Sequence, residues 1–305
     1  MSLNYEIESS HVADYQMFSL PEVGFPLRGP YWPTECSTPG LTFLGAAQTF
    51  GTFCKYPFPN LLGEMVSARV LNLARGGAGP GFYVDKTRIF DYVNRSDLCV
   101  VQVMSARSSM QNKYMHSPLG LASVTMTGGG RKGETVLGHH ALQQMADELS
   151  RRDFFALVQE TLSNYIEQYR QLLSQIEVPT VLVYVAKKPP LRNYGAKDAR
   201  WTPEKLIGHN PNLVNEATLE AISAFADQTV VVTDERGFDK RLMNRITGEC
   251  CEIKRAEGNT VRTHSAYLSP YLHTKIALQL YDIVDPMLPK AHREMGMFRK
   301  LYERM

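Results

Sequence analysis

The sequence predicts an α/β fold built on a parallel five-stranded sheet. Two observations carry the prediction. Five short apolar runs, at 41–44, 69–73, 98–104, 180–185 and 229–232, lack polar alternation, as do strands buried on both faces. Helical stretches separate them, and strands that alternate with helices build parallel crossover units.

Taken in order, residues 1–40 are rich in Pro, Gly and aromatics and read as an irregular arm that packs over the rest. The first strand stops at Gly45. Proline marks the start of a helix at about 59–68. The second strand ends in the run Arg75-Gly76-Gly77-Ala78-Gly79-Pro80-Gly81, and a helix fits 82–93. After the third strand, the longest helix spans about 153–176. Phe154, Val158, Leu162, Ile166, Tyr169, Leu173 and Ile176 recur on one face, as a core-packing stripe does. A last core helix covers 270–284, with Val284-Asp285-Pro286 ending it, and a basic, Met-rich tail runs from 289. One domain, 41–288, therefore carries two insertions, 105–136 and 187–215. Loops of that length are usually functional or disordered. The segment TGGGRKGET in the first insertion reads as a mobile surface loop. It lacks the spacing of a phosphate-binding P-loop.

Composition narrows the function classes. With 44% hydrophobic and 21% charged residues, the chain can bury a full core. A net charge of +2 carries no nucleic-acid or membrane signature. The longest apolar run is too short to span a bilayer, and the polar N-terminus has no signal-peptide core, so a cytoplasmic location is expected. Cys36, Cys54, Cys99, Cys250 and Cys251 are odd in number and contain no C-x-x-C pair, which argues against a disulfide framework or a zinc knuckle. Cys99 sits in an apolar strand as packing. His139-His140 begins a helix and is not expected to form a facing pair. His264 and His273 lack metal-ligand spacing, so no metal site is expected. The residues name no cofactor and leave the oligomeric state open.

In open parallel sheets, ligands bind beyond the carboxyl ends of the strands. The residues there are Gln48 and Thr49 after the first strand, and Asn72, Arg75 and Gly77 after the second. Ser105 and Arg107 follow the third, Lys187 and Lys188 the fourth, and Asp234 the fifth. Arg75, Arg107, Lys187 and Lys188 all follow strand ends. Arginine forks beside glycine-rich turns suit phosphate or sulfate. The plainer account is solvated loop charge, or pairing with Asp85, Asp97 or Asp234. His273, near the same region, is the candidate general base.

The turns FLGAAQTFG, VLNLARGGAG and VVQVMSARS, with HSAYLSPYLHTKIALQL near the C-terminus, resemble the SGNH-hydrolase family over roughly 41–284. The resemblance implies a three-layer α/β/α sandwich of flavodoxin-like type. It also implies an oxyanion-hole role for the N–H of Gly77. The departures are large. Ala47 stands where that family has its nucleophilic serine, and Ser105-Ala106-Arg107-Ser108 lacks the family's Gly, Asn and Asp. Its terminal Asp and His fall on His264 and Tyr267. The ordinary acyl-enzyme route is therefore closed. Leu27-Arg28-Gly29-Pro30, FLGAAQTFG and VVQVMSARS are more closely similar to motifs of an uncharacterised proteobacterial family of SGNH-like proteins.

Two functions stay open. The first is a transferase or hydrolase acting on an anionic (phosphate- or sulfate-bearing) or glycan-linked substrate. There Gln48, Thr49, Asn72, Gly77 and Ser105 would bind, Arg75 and Arg107 would stabilise developing charge, and His273 would move a proton. The second is a non-catalytic ligand-binding module on a degenerate scaffold. The expected partner is a small molecule or glycan, with no nucleic acid and no membrane span. A structural partner in an assembly, marked by a large exposed apolar patch, is a third and weaker reading.

Overall fold

The computed structural model describes residues 10–31, 40–128, 130–254 and 260–289. Its strands are β1 (Gly40–Leu44), β2 (Arg69–Asn72), β3 (Leu98–Gln102), β4 (Met115–His116), β5 (Ser123–Met126), β6 (Thr135–Leu137), β7 (Thr180–Ala186), β8 (Gln228–Thr233), β9 (Ile253–Lys254) and β10 (Thr260–Val261). Its helices are α1 (Ala47–Phe50), α2 (Phe58–Met65), α3 (Pro80–Val84), α4 (Thr87–Val93), α5 (Gly138–Glu148), α6 (Arg151–Leu173), α7 (Pro203–Ile207), α8 (Glu216–Ser223) and α9 (Pro270–Met287).

The five apolar runs form one parallel sheet in the order β2-β1-β3-β7-β8. Side chains alternate between its faces, so each inner strand feeds two cores. In β7, Val181, Val183 and Val185 join Phe58 and Leu62 of α2 and Leu272, Ile276 and Leu280 of α9. Leu182 and Tyr184 join Phe154, Val158, Leu162, Tyr165 and Tyr169 of α6, with Leu219 and Ile222 of α8. The result is the expected three-layer α/β/α sandwich with flavodoxin-like strand order.

Boundaries differ from expectation for local reasons. The stretch 82–93 is two helices, broken where Lys86 leaves helical geometry at φ −97°, ψ 59°. α6 starts at Arg151 because Ser150 caps it. The Asp153 N–H donates to Ser150 Oγ at 3.2 Å, and Ser150 Oγ donates to Asp153 Oδ2 at 2.7 Å. β3 stops at Gln102 because tyrosines on α6 take the backbone beyond it. Tyr165 Oη donates to the Met104 carbonyl at 2.6 Å, and Tyr169 Oη accepts from the Met104 N–H at 2.8 Å. α9 continues past Pro286, and the Leu288 N–H reaches the Val284 carbonyl at 3.2 Å across it.

Both insertions are structured. The first contains the antiparallel sheet β4-β5-β6, and TGGGRKGET spans the β5–β6 connection instead of a free loop. The second contains α7 and buries Trp201 against Phe155, under the Arg151 guanidinium 3.6 Å from its ring centre. Cys99 is buried, and burial pushes its thiol up to about 12. Cys54, Cys99, Cys250 and Cys251 are free thiols. Cys36 lies outside the described residues, as does the tail from residue 290.

Between α1 and α2 the chain runs through 51–57 without regular structure, and five of those residues are buried. Buried backbone must find partners. Arg28, only 2% exposed, supplies most of them. Its guanidinium donates to the carbonyls of Phe50, Gly51, Cys54 and Lys55 at 3.0, 2.8, 2.7 and 3.0 Å. It also lies over the rings of Tyr15 and Phe50. Tyr15 Oη accepts from the Phe53 N–H at 3.1 Å. Gly51 is required here: its φ is 79°, and a Cβ would lie 2.3 Å from Pro57 Cβ. Burial lowers the Arg28 pKa to about 10, which leaves the group charged at neutral pH.

Replacing Arg28 with Ala strands four carbonyls and should cost on the order of 3–4 kcal/mol in chemical denaturation. Arg28→Lys, with no planar fork, should recover only part of this. A loss below about 1 kcal/mol for Arg28→Ala would show that the segment does not need this anchor.

Candidate functional site

The chain reverses its direction of travel across the sheet between β1 and β3, so the carboxyl ends of these strands form the topological switch point. The turn from β1 into α1 lies there. Its polar centre is Gln102, 2% exposed, at the end of β3. Gln102 Oε1 accepts from the Ala46 N–H at 3.0 Å, the Thr49 N–H at 3.3 Å and Thr49 Oγ1 at 2.7 Å. Gln102 Nε2 donates to Gln48 Oε1 at 3.0 Å, and Gln48 Nε2 donates to the Ala266 carbonyl at 3.1 Å. Asn72 Nδ2 donates to the Thr49 carbonyl at 3.0 Å, and Asn72 Oδ1 accepts from the Ala74 N–H at 3.1 Å. Tyr83 Oη closes the far side by donating to the Gly45 carbonyl at 2.6 Å.

Gln48, Thr49 and Asn72 thus meet at the switch point, each buried and committed to an internal partner. Ser105 is also buried. Its Oγ accepts from the Asn212 N–H at 3.0 Å and ties the second insertion to the end of β3. Gly77 adopts φ 78° and packs on Ala122 of the first insertion, and its carbonyl accepts from Ser108 Oγ at 3.3 Å. The sequence did not single out Gln102. A long polar side chain in an otherwise apolar buried strand was the available signal.

The four basic residues do not form one cluster. Lys187 pairs with Asp239, and Lys188 lies 3.7 Å from Glu235. Asp234 takes Arg236 at 2.9 Å and Lys275 at 3.0 Å, which hold its carboxyl well below the usual range. Arg75 and Arg107 stand on turns that touch through Ser108 and Gly77. Arg107 Nη1 lies 3.5 Å from His139 Nδ1. The rings of His139 and His140, in the first turn of α5, do come together, with centroids 4.0 Å apart and planes tilted by 57°. Among the described residues, no group of three or more His, Cys, Asp or Glu side chains is placed to hold a metal ion. Among the same residues, no helix is long and apolar enough to cross a membrane.

The rings of His264 and Tyr267 pack together, with centroids 4.3 Å apart and planes tilted by 32°. His264 Nδ1 accepts from the N–H of Ala266, whose carbonyl holds Gln48. His273 does not line the mouth. It is 0% exposed on the inner face of α9, where its Nδ1 accepts the first N–H of α2, from Phe58, at 3.1 Å. That N–H has no intrahelical partner, and the imidazole supplies one. Burial first, and then the Arg28 charge, push its pKa down to about 3.

This geometry makes His273 a stability residue with a definite pH sign. An imidazole at about 6.5 in the unfolded chain and about 3 in the fold binds its proton only on unfolding across that window. Its contribution is complete above the unfolded value and is lost as pH falls towards the folded one. Stability should therefore decline by up to about 1.4 kcal/mol per pH unit below the unfolded value. Urea unfolding at neutral and mildly acidic pH should show a steeper acid loss in the wild type than in His273→Gln. Equal slopes would remove this assignment.

No curated protein matches the chain. Among solved structures, a protein assigned to the G-D-S-L lipolytic family from Desulfitobacterium hafniense aligns at 9% identity and a TM-score of 0.35, over 82% of this chain and 99% of that one. A family two carbohydrate esterase from Clostridium thermocellum, in complex with cellohexaose, aligns at 9% identity and 0.39, over 86% and 67%. One from Cellvibrio japonicus aligns at 12% identity and 0.35, over 86% and 64%. The chain spans about two thirds of each esterase. At such scores the likeness carries no argument about activity, and the fold rests on the strand order and registers above. A family model described as "Domain of unknown function (DUF6473)" matches residues 1–117 and 134–288 and leaves out only the middle of the first insertion and the C-terminal tail. The chain belongs to the DUF6473 family.

Proposed function

We propose that this protein holds a small polar molecule or glycan at the switch point without covalent catalysis. The reading rests on Gln102. An acyl-transfer site keeps free donors on its first turn for a developing oxyanion. Here one amide oxygen accepts from the Ala46 and Thr49 N–H groups and from the Thr49 hydroxyl. Ala47 offers no nucleophile, and the His264 ring packs against Tyr267. Gln48, Thr49 and Asn72 then act as a rigid frame beneath the ligand. Arg75 and the His264–Tyr267 pair are the groups beside it.

A second reading is favoured by the approach of Arg107 to His139. It is a transferase or hydrolase acting on a phosphate- or sulfate-bearing substrate by direct displacement. Arg75 and Arg107 would face developing negative charge, and no protein nucleophile would be needed.

Thermal shift against neutral oligosaccharides and against phosphate, sulfate and nucleotide ligands separates the two. A ligand at about 100 times its Kd should add roughly 2.7 kcal/mol of stability. Binding of neutral sugars that survives Arg107→Ala supports the first reading. Binding of anions only, abolished by both Arg75→Ala and Arg107→Ala, supports the second. In the same preparation, neither wild type nor Ala47→Ser should hydrolyse p-nitrophenyl acetate above the buffer rate. Turnover by the Ala47→Ser variant would show that the turn's donors are available after all and would sink the first reading.

A further inference from the structure

The sheet ends on an edge strand, β8, that Lys275 covers at its carboxyl end. β8 reads Gln-Thr-Val-Val-Val-Thr, with no charge, proline or bulge to blunt pairing. Among the described residues its only ladder partner is β7. The Asp234 N–H bonds back to Ala186 of β7, so by alternation the backbone groups of Thr229, Val231 and Thr233 point outwards. Lys275 Nζ on the Thr233 carbonyl, at 3.2 Å, agrees with this. Val231 is 47% exposed on the strand, and Leu278 is 54% exposed on the neighbouring helix α9.

We propose that this edge binds a second copy of the chain, through an antiparallel β8–β8 pairing with its twofold axis at Val231, giving a continuous ten-stranded sheet. The partner is argued from charge. Near the carboxyl end of β8, Arg236 and Lys275 share a single carboxylate, Asp234, and leave a net positive end. At the other end Asp227 is exposed, and Asp282 is exposed about one turn beyond Leu278 on the same side of α9. An antiparallel copy carries its Asp227 to the first copy's positive end, opposite Glu235 and beside Arg236. It also sets Asp282 of one α9 against Lys275 of the other, with Leu278 beside the axis. The two centres agree in height. Val231 lies about 7 Å below Thr233 at roughly 3.3 Å per residue. The midpoint of Lys275 and Asp282 lies about 5 Å below Lys275 at roughly 1.5 Å per residue, and the lysine stem reaching up to Thr233 accounts for the difference. One axis thus serves strand and helix together. A parallel partner would bring like charges together at both ends.

The test is light scattering on the full chain after size exclusion, at micromolar concentration. The wild type should run at twice the 34.4 kDa chain mass. Val231→Lys and Leu278→Glu change half-exposed positions and should each give the single-chain mass with an unchanged melting curve. Asp282→Lys, which turns two symmetric ion pairs into like-charge contacts, should weaken association at least about tenfold. The Val231 amide should exchange slowly in the wild type and quickly in Leu278→Glu. A monomeric wild type would overturn the proposal, including the case in which the chain's own C-terminal tail covers the edge. So would a dimer that persists in both Val231→Lys and Leu278→Glu.

Discussion

The buried guanidinium of Arg28 is the contact on which the ligand end of this sheet depends. A parallel sheet places its β1 turn at the mouth, and here the chain leaving that turn dives through 51–57 without forming an element. Such a path is viable only if side chains replace the missing ladder. Arg28 does so with four carbonyls, Tyr15 with one N–H, and His273 with the first N–H of α2. Two of these residues come from the N-terminal arm and one from the last helix. The N-terminal arm and the last helix therefore meet around the segment that follows the β1 turn. The desolvation of a charge is accepted because a rigid fork satisfies several acceptors at once. Burial, reinforced by the same charge, keeps the neighbouring imidazole neutral, which is the form that can accept from Phe58.

Gln102 then decides the chemistry of the mouth. An amide can accept and donate at once, so it can lock the β1 turn from below while bracing Gln48. A turn locked in this way is preorganised, and its Ala46 and Thr49 N–H groups are occupied. That suits a floor under a ligand better than a cradle for a developing oxyanion. The surrounding cations follow the same logic, since Lys187 and Lys188 have acidic partners at the β8 end of the sheet. Charge at the strand ends is distributed among local pairs. Arg75 and Arg107 remain the residues on the glycine-rich side.

Much of this fold was legible in one dimension. The run Thr180-Val181-Leu182-Val183-Tyr184-Val185 has no polar alternation because both its faces are buried, and it proved to be the inner strand β7, between β3 and β8. The stripe on α6 was legible for the same reason, although Tyr165 proved more deeply buried than Ile166. The site was less legible. His273 looked like a base because it lies near the C-terminal signature. Whether an imidazole faces a cleft or a helix end depends on which side of α9 meets α2, and periodicity alone does not say. The insertions looked like loops because β4, β5 and β6 are two to four residues long, below the length at which alternation can be read.

Local chemistry in the sequence was sufficient to determine the class of fold, the five parallel strands, and the absence of a hydroxyl at Ala47. Each follows from residue type and period. Tertiary structure alone decided which polar residues do the holding. Arg28 and the carbonyls it binds are more than twenty residues apart, Gln48 and Ala266 more than two hundred, and His273 and Phe58 likewise. Hydrogen bonds closed over such separations leave no local pattern, because they depend on which backbone groups the packed layers leave without a partner.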